Sequence, residues 1–181
     1  MKLNLRKKNK GFTLVEILLV VGFIALASIG IYAVYNKVTT TSKANQENTN
    51  LQTIRAGIKQ LFGNQTNFTG LTETVVRNAR ISPQDMHTGT NTLTNAFGGA
   101  VTIAPIVSGT TLGSAPGFSI TTSNIPGDVC VKLASGAGSS FDRVSVGATE
   151  IKAVGTNTQV NPVTVTTACD ADTVTMIFES K

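Results

Sequence analysis

The pattern of apolar and polar positions changes character three times along the chain. Residues 1–10 are polar and basic. From Phe12 to Tyr35 the chain is apolar on every side of a helix and carries a single charge, Glu16. This run of about 24 residues is long enough to cross the roughly 30 Å hydrocarbon core of a bilayer as a helix. Asn36–Asn50 is polar and rich in Thr and Asn, yet contains neither Gly nor Pro to end a helix. Apolar residues then return at helical spacing, as Leu51, Ile54, Ile58, Leu61 and Phe62, and give the second half one apolar face. Gly63-Asn64 is a stop signal. The pattern predicts one long helix over 12–62. Gly22 and Gly30 lie inside it, either tolerated or allowing close approach of a neighbouring helix.

Beyond Gly63 the pattern turns short and irregular, with Thr, Asn, Gly and Ser dominant. A short helix is predicted at Thr72–Ala79, and Ser82-Pro83 opens a turn or another short helix. Ala100–Val107 and Phe118–Thr122 read as strands separated by the turn-rich Ser108–Gly117. Pro105 places the first of them at an edge or interrupts it. Val129–Leu133 reads as a short helix carrying Cys130. Val144–Val154 and Val163–Thr167 have β character, and Val174–Phe178 alternates as a last strand. The expected fold class is α+β: a long N-terminal α-helix, membrane-spanning in its first half, packed on a small antiparallel sheet. The expected organisation is a basic leader at 1–11, the long helix at 12–62 and a globular head outside the cytoplasm at 63–181.

Charge sharpens this picture. The formal net charge is +5, but five of the fifteen Lys/Arg, namely Lys2, Arg6, Lys7, Lys8 and Lys10, precede Gly11. The ten that remain balance the ten Asp/Glu, so no basic face points to nucleic acid. The basic cluster beside an apolar helix is a cytoplasmic flank under the positive-inside rule. The apolar run exceeds a typical secretory h-region of roughly 7–15 residues, and no Ala-x-Ala site follows it. A plain single-pass anchor explains the orientation but not Glu16, because a charge at the membrane centre costs roughly 2.5–3.5 kcal/mol.

The two cysteines, Cys130 and Cys169, lie far apart with no Cys-x-x-Cys spacing. In an exported head they form a disulfide; two separate buried thiols are the alternative. His87 is the only histidine, so no zinc cluster can form. Asp170 and Asp172 could contribute to calcium binding, but two carboxylates fall well short of the 6–8 oxygens that calcium takes, and a solvated turn accounts for them. The Asn-x-Thr sequons at Asn64 and Asn67 are weak signals. No nucleophile elbow, metalloprotease motif or phosphate loop is present. The expectation is a protein without catalytic residues, metal or cofactor.

Gly11-Phe12-Thr13-Leu14-Val15-Glu16, preceded by basic residues and followed by an apolar helix, resembles the prepilin class III signal of type IV pilins and pseudopilins. Phe68-Thr69-Gly70-Leu71, Asn95-Ala96-Phe97-Gly98-Gly99-Ala100-Val101 and the C-terminal cysteine pair look like the head of type IVb pilins. The leader is shorter than is usual for that branch, and Phe after the cut is more typical of the IVa branch and of pseudopilins.

The resemblance implies cleavage between Gly11 and Phe12 by a membrane prepilin peptidase and N-methylation of Phe12. It also implies a filament core built from residues 12–35, with Glu16 serving assembly. The implied partners are copies of the chain itself, the peptidase and an inner-membrane assembly machine, with no nucleic-acid site. The implied function is a structural subunit of a surface filament used for adhesion, aggregation or DNA contact. A type II secretion pseudopilin, a minor pilin and a membrane-anchored binding module that does not polymerise are the alternatives.

Overall fold

A computed structural model describes residues 11–106, 112, 115–155 and 159–181. The chain divides into two compact units, one ending at Thr39 and the other spanning Thr40–Lys181. Helix α1 (Leu14–Leu61) is the long helix that the pattern predicts. Its side chains up to Val38 are exposed, whereas Ala44, Glu47, Asn50, Leu51, Ile54 and Ile58 are buried in the second unit.

The second unit is built on a seven-stranded antiparallel sheet with the order β1-β2-β3-β4-β7-β5-β6. The strands are β1 (His87–Thr88), β2 (Thr92–Thr94), β3 (Ala100–Ile106), β4 (Gly117–Pro126), β5 (Arg143–Val146), β6 (Thr149–Lys152) and β7 (Thr173–Ser180). The longest pairing joins β4 to β7, from Phe118↔Ser180 to Pro126↔Thr173, with a bulge between Thr122 and Ile125. Phe118, Ile120 and Ile125 of β4, with Met176 and Phe178 of β7, belong to the same buried core as Leu51, Ile54 and Ile58 of α1. Phe141 stacks against Phe178 with ring centroids 5.1 Å apart.

Local chemistry explains the short elements. Helix α2 (Glu73–Asn78) starts where the Thr72 hydroxyl accepts from the Val75 N–H, at 3.4 Å. Pro83 leads into a 3-10 turn, Gln84–Met86. On β3, strand β2 reaches only Ala100 and Val101, so from Thr102 onward the outer side of β3 has no strand partner among the described residues. Pro105 lies in that half, and the Ile103 N–H there donates to Glu73 Oε1 at 2.8 Å. The expected strand end at Val107 and most of the Ser108–Gly117 turn lie outside the described residues. Helix α3 (Gly127–Gly136) carries Cys130, as expected.

Two expectations are corrected. Val163–Thr167 is not a strand but lies inside helix α4 (Pro162–Ala168). Its β-branched residues are overruled by start signals: Asn161 caps the Val163 N–H at 3.0 Å, and Pro162 occupies the first turn. Val144–Val154 is not one β run. It folds back at Gly147 (φ 55°) into β5 and β6. Arg143 then reaches Glu150 Oε2 at 2.7 Å on β6 and Glu179 Oε2 at 3.5 Å on β7.

Cys130 and Cys169 form a disulfide with Cα atoms 5.8 Å apart, tying α3 to the end of α4. It closes a loop with a sequence separation of 39. Replacing both cysteines with serine is expected to lower the unfolding free energy by about 4 kcal/mol, read from denaturant midpoints. Gly99 makes a second point of rigidity, because a Cβ there would lie 1.9 Å from the Ser123 carbonyl oxygen. Gly99→Ala is expected to destabilise the head by about 1–3 kcal/mol in the same measurement.

Candidate functional site

Gly11, Phe12 and Thr13 precede the first helical residue, Leu14, and all three are exposed. Among the described residues, nothing lies within 4 Å of where a Cβ on Gly11 would stand. The Gly11–Phe12 peptide is thus outside the hydrogen-bonded helix. Thr13 is the start of the helix. Its carbonyl accepts from the Glu16 N–H at 3.1 Å and the Ile17 N–H at 3.2 Å, and its hydroxyl accepts from the Glu16 N–H at 3.3 Å. Thr13-Leu14-Val15-Glu16 therefore has the spacing of a capping box. The carboxylate stands in the first turn, at the positive end of the helix dipole.

Around this turn the surface is apolar. Phe12 is 79% exposed, and Leu14, Val15, Ile17, Leu18 and Leu19 are all exposed. One stretch of α1 is long and apolar enough to cross a membrane. Complete burial of each such side chain contributes about 1.5–3 kcal/mol, so a bilayer or a bundle of like helices would stabilise this surface strongly. Among the described residues, nothing lies within 4 Å of where a Cβ on Gly22 or Gly30 would stand.

The structure brings Gly11, Phe12 and Glu16 together around one helix start and sets Cys130–Cys169 apart as a cross-link of the head. His87 is on β1 with its Nε2 2.8 Å from the Ser82 hydroxyl. Asp170 and Asp172 lie exposed between α4 and β7. No group of three or more His, Cys, Asp or Glu able to hold a metal occurs among the described residues. A polar cleft of about 940 Å³ is lined by Arg55, Phe141, Asp142 and Lys152, among others. Its cations are engaged: Lys152 Nζ donates to the Gly138 and Phe141 carbonyls at 2.8 and 2.6 Å, and Arg55 Nε donates to the Ser180 hydroxyl at 3.1 Å.

Sequence reasoning missed a buried polar cluster around Glu47 and Asn95. Glu47 is fully buried, and its Oε2 accepts from the Ala96 N–H at 3.2 Å. Asn95 Oδ1 accepts from the Phe97 and Gly99 N–H groups at 2.9 and 2.8 Å. Its Nδ2 donates to the Thr122 hydroxyl at 2.8 Å and the Ser123 carbonyl at 2.6 Å. The signal was present: Glu47 lies four residues before Leu51, in line with the buried stripe.

A family model described as PilS N terminal matches residues 41–181. The chain is 26% identical over 130 residues to the major structural subunit of the bundle-forming pilus of Escherichia coli O127:H6, and equally to that of Escherichia coli O111:H-. The aligned segment is 71% of this chain and spans 65% of the length of each relative. Among solved structures, the type IVb pilin from Salmonella typhi is similar with a TM-score of 0.59 and 24% identity, covering 74% of this chain and 97% of that one. TcpA, a type IV pilin from Vibrio cholerae El Tor biotype, also gives 0.59, at 16% identity, covering 77% of this chain and 99% of its own. The second unit thus has the fold of a type IV pilin head. Matched by that model over most of its length, the chain belongs to the PilS N-terminal family.

Proposed function

We propose that the chain is a structural subunit of a type IV pilus, cleaved between Gly11 and Phe12 and polymerised through the apolar half of α1. The observation that carries this reading is an exposed Gly11–Phe12 peptide beside an exposed apolar helix whose first turn holds Glu16. Family membership and the likeness to a major structural subunit of a bundle-forming pilus support it. The precursor sits in the inner membrane with residues 1–10 in the cytoplasm. A prepilin peptidase processes it, an assembly machine extracts it, and the product is a surface filament.

The chemistry of the cut defines the role of Glu16. Cleavage frees an α-amino group on Phe12 with an ordinary pKa of about 7.7–8.0, largely cationic at neutral pH. In the precursor, Glu16 lies within a turn of the helix start and can reach the interface. Inside a bundle of apolar helices it would be enclosed, and an unpaired buried charge destabilises by about 3–5 kcal/mol. The Phe12 amine of a neighbouring subunit supplies the partner and sets the axial register between helices. The apolar surface supplies the association energy without specifying register.

Three outcomes test this. Mature protein is expected to begin at Phe12 with one added methyl group, read by intact mass and N-terminal sequencing; a product still bearing the leader would contradict processing. Gly11 replaced by a bulky residue is expected to leave the leader attached, and unchanged processing would count against a prepilin-type peptidase. Glu16→Ala is expected to insert in the membrane and lose its leader at least in part, but to form no filaments. Filaments at wild-type yield from that variant would end the register argument.

A further inference from the structure

Glu47 is a fully buried carboxyl on the apolar stripe of α1, and the assembly reading gives it no task. Its Oε2 accepts from the Ala96 N–H, while its Oε1 has no hydrogen-bond partner among the described residues. Two segments flank it. The first is the 3-10 turn Gln84–Met86, whose Asp85 Oδ2 accepts from the side-chain amides of Gln46 and Asn50 on α1. The second is the Asn95–Gly99 loop, which is internally rigid. Asn95 N–H donates to the Gly99 carbonyl at 2.8 Å, Gly98 N–H to the Asn95 carbonyl at 3.0 Å, and Asn95 Oδ1 gathers two further amides. The loop is fastened to β4 through Asn95 Nδ2 and through Asn124 Nδ2, which donates to the Phe97 carbonyl at 3.2 Å. Its links to α1 are the Glu47–Ala96 bond and Lys43 Nζ, 5.8 Å from the centre of the Phe97 ring.

The charges around Glu47 do not compensate it. Asp85 faces it from the 3-10 turn with like charge. Lys43, one turn earlier on α1, stands over Phe97. His87, after the 3-10 turn, is bonded to Ser82, and β4 contributes the neutral Thr122.

We propose that the seam between residues 43–50 of α1 and these two segments is a pH-responsive latch, closed while Glu47 holds a proton and opened to water when Glu47 ionises. Burial is the main cause that pushes the Glu47 carboxyl from 4.5 up to about 7; the Ala96 N–H and the Thr122 hydroxyl oppose it, and Asp85 adds to it. Because the folded state binds this proton more tightly than the unfolded one, the stability linked to it is fully present below about pH 4.5 and is lost as pH rises to about 7. Since the loop's hydrogen bonds to β4 run through Asn95 and Asn124, opening separates the loop and the turn from α1 while β4 and β7 stay paired.

The test is hydrogen exchange by mass spectrometry on the full chain in detergent micelles from pH 4 to pH 9, corrected for the intrinsic pH dependence of exchange. Peptides covering 84–99 are expected to lose at least about tenfold in protection between about pH 4.5 and pH 7 and to level off above that, while peptides of β4 and β7 keep theirs. Glu47→Gln and Glu47→Leu are expected to hold protection in 84–99 constant across the range. A wild-type loss that is absent, or that is already complete by about pH 4.5, would overturn the proposal whether or not either variant folds. So would a loss between pH 4.5 and pH 7 that persists in a folded variant.

Discussion

One continuous helix has to satisfy two apolar environments, and the rest of the molecule follows from that constraint. In α1 the hydrogen-bond ladder runs unbroken from Leu14 to Leu61, but the demands on the side chains change along it. The first half is apolar on all sides, and its side chains are exposed up to Val38. The second half is one-sided, and its buried positions, Leu51, Ile54 and Ile58, are core residues of the head. The sheet is the means by which that single stripe is covered. Its central pair, β4 and β7, carries the largest apolar side chains, and the disulfide secures the helices α3 and α4 that flank the end of β7.

Two carboxylates on this helix meet opposite fates for the same physical reason. Glu16 is exposed in a capped first turn and becomes costly only when other apolar helices close around it. Glu47 is already enclosed by its own chain, with one oxygen bonded and the other not, and burial drives it toward the neutral form. An ionisable group can be kept in an apolar place by a partner of opposite charge or by a proton. The proposed pilus register uses the first solution and the proposed latch uses the second.

Much of this was legible in the sequence, wherever one local signal dominated. The length of α1 followed from an apolar run, a polar stretch without breakers and a stripe at helical spacing. The short helix at Thr72–Ala79, the edge or interruption at Pro105 and the helix after Gly127 were also local matters. Helix α4 was misread because its β-branched residues suggested a strand while Asn161 and Pro162, just before them, decided the outcome. Strands β1 and β2 are two and three residues long and exist only through their pairing, so no periodicity could announce them. The Gly11-Phe12…Glu16 pattern was visible because it departs from the composition around it. Glu47 was hidden in a polar stretch, where a carboxylate draws no notice until the fold buries it.

The central claim is that Glu16 finds its partner only in another copy of the chain. A filament structure at side-chain resolution tests it most directly. The account predicts a Glu16 carboxylate oxygen within about 4 Å of the Phe12 amine of a neighbouring subunit, with both enclosed by apolar helices. A Glu16 that faces solvent, or that pairs with the amine of its own chain throughout the filament, would contradict it.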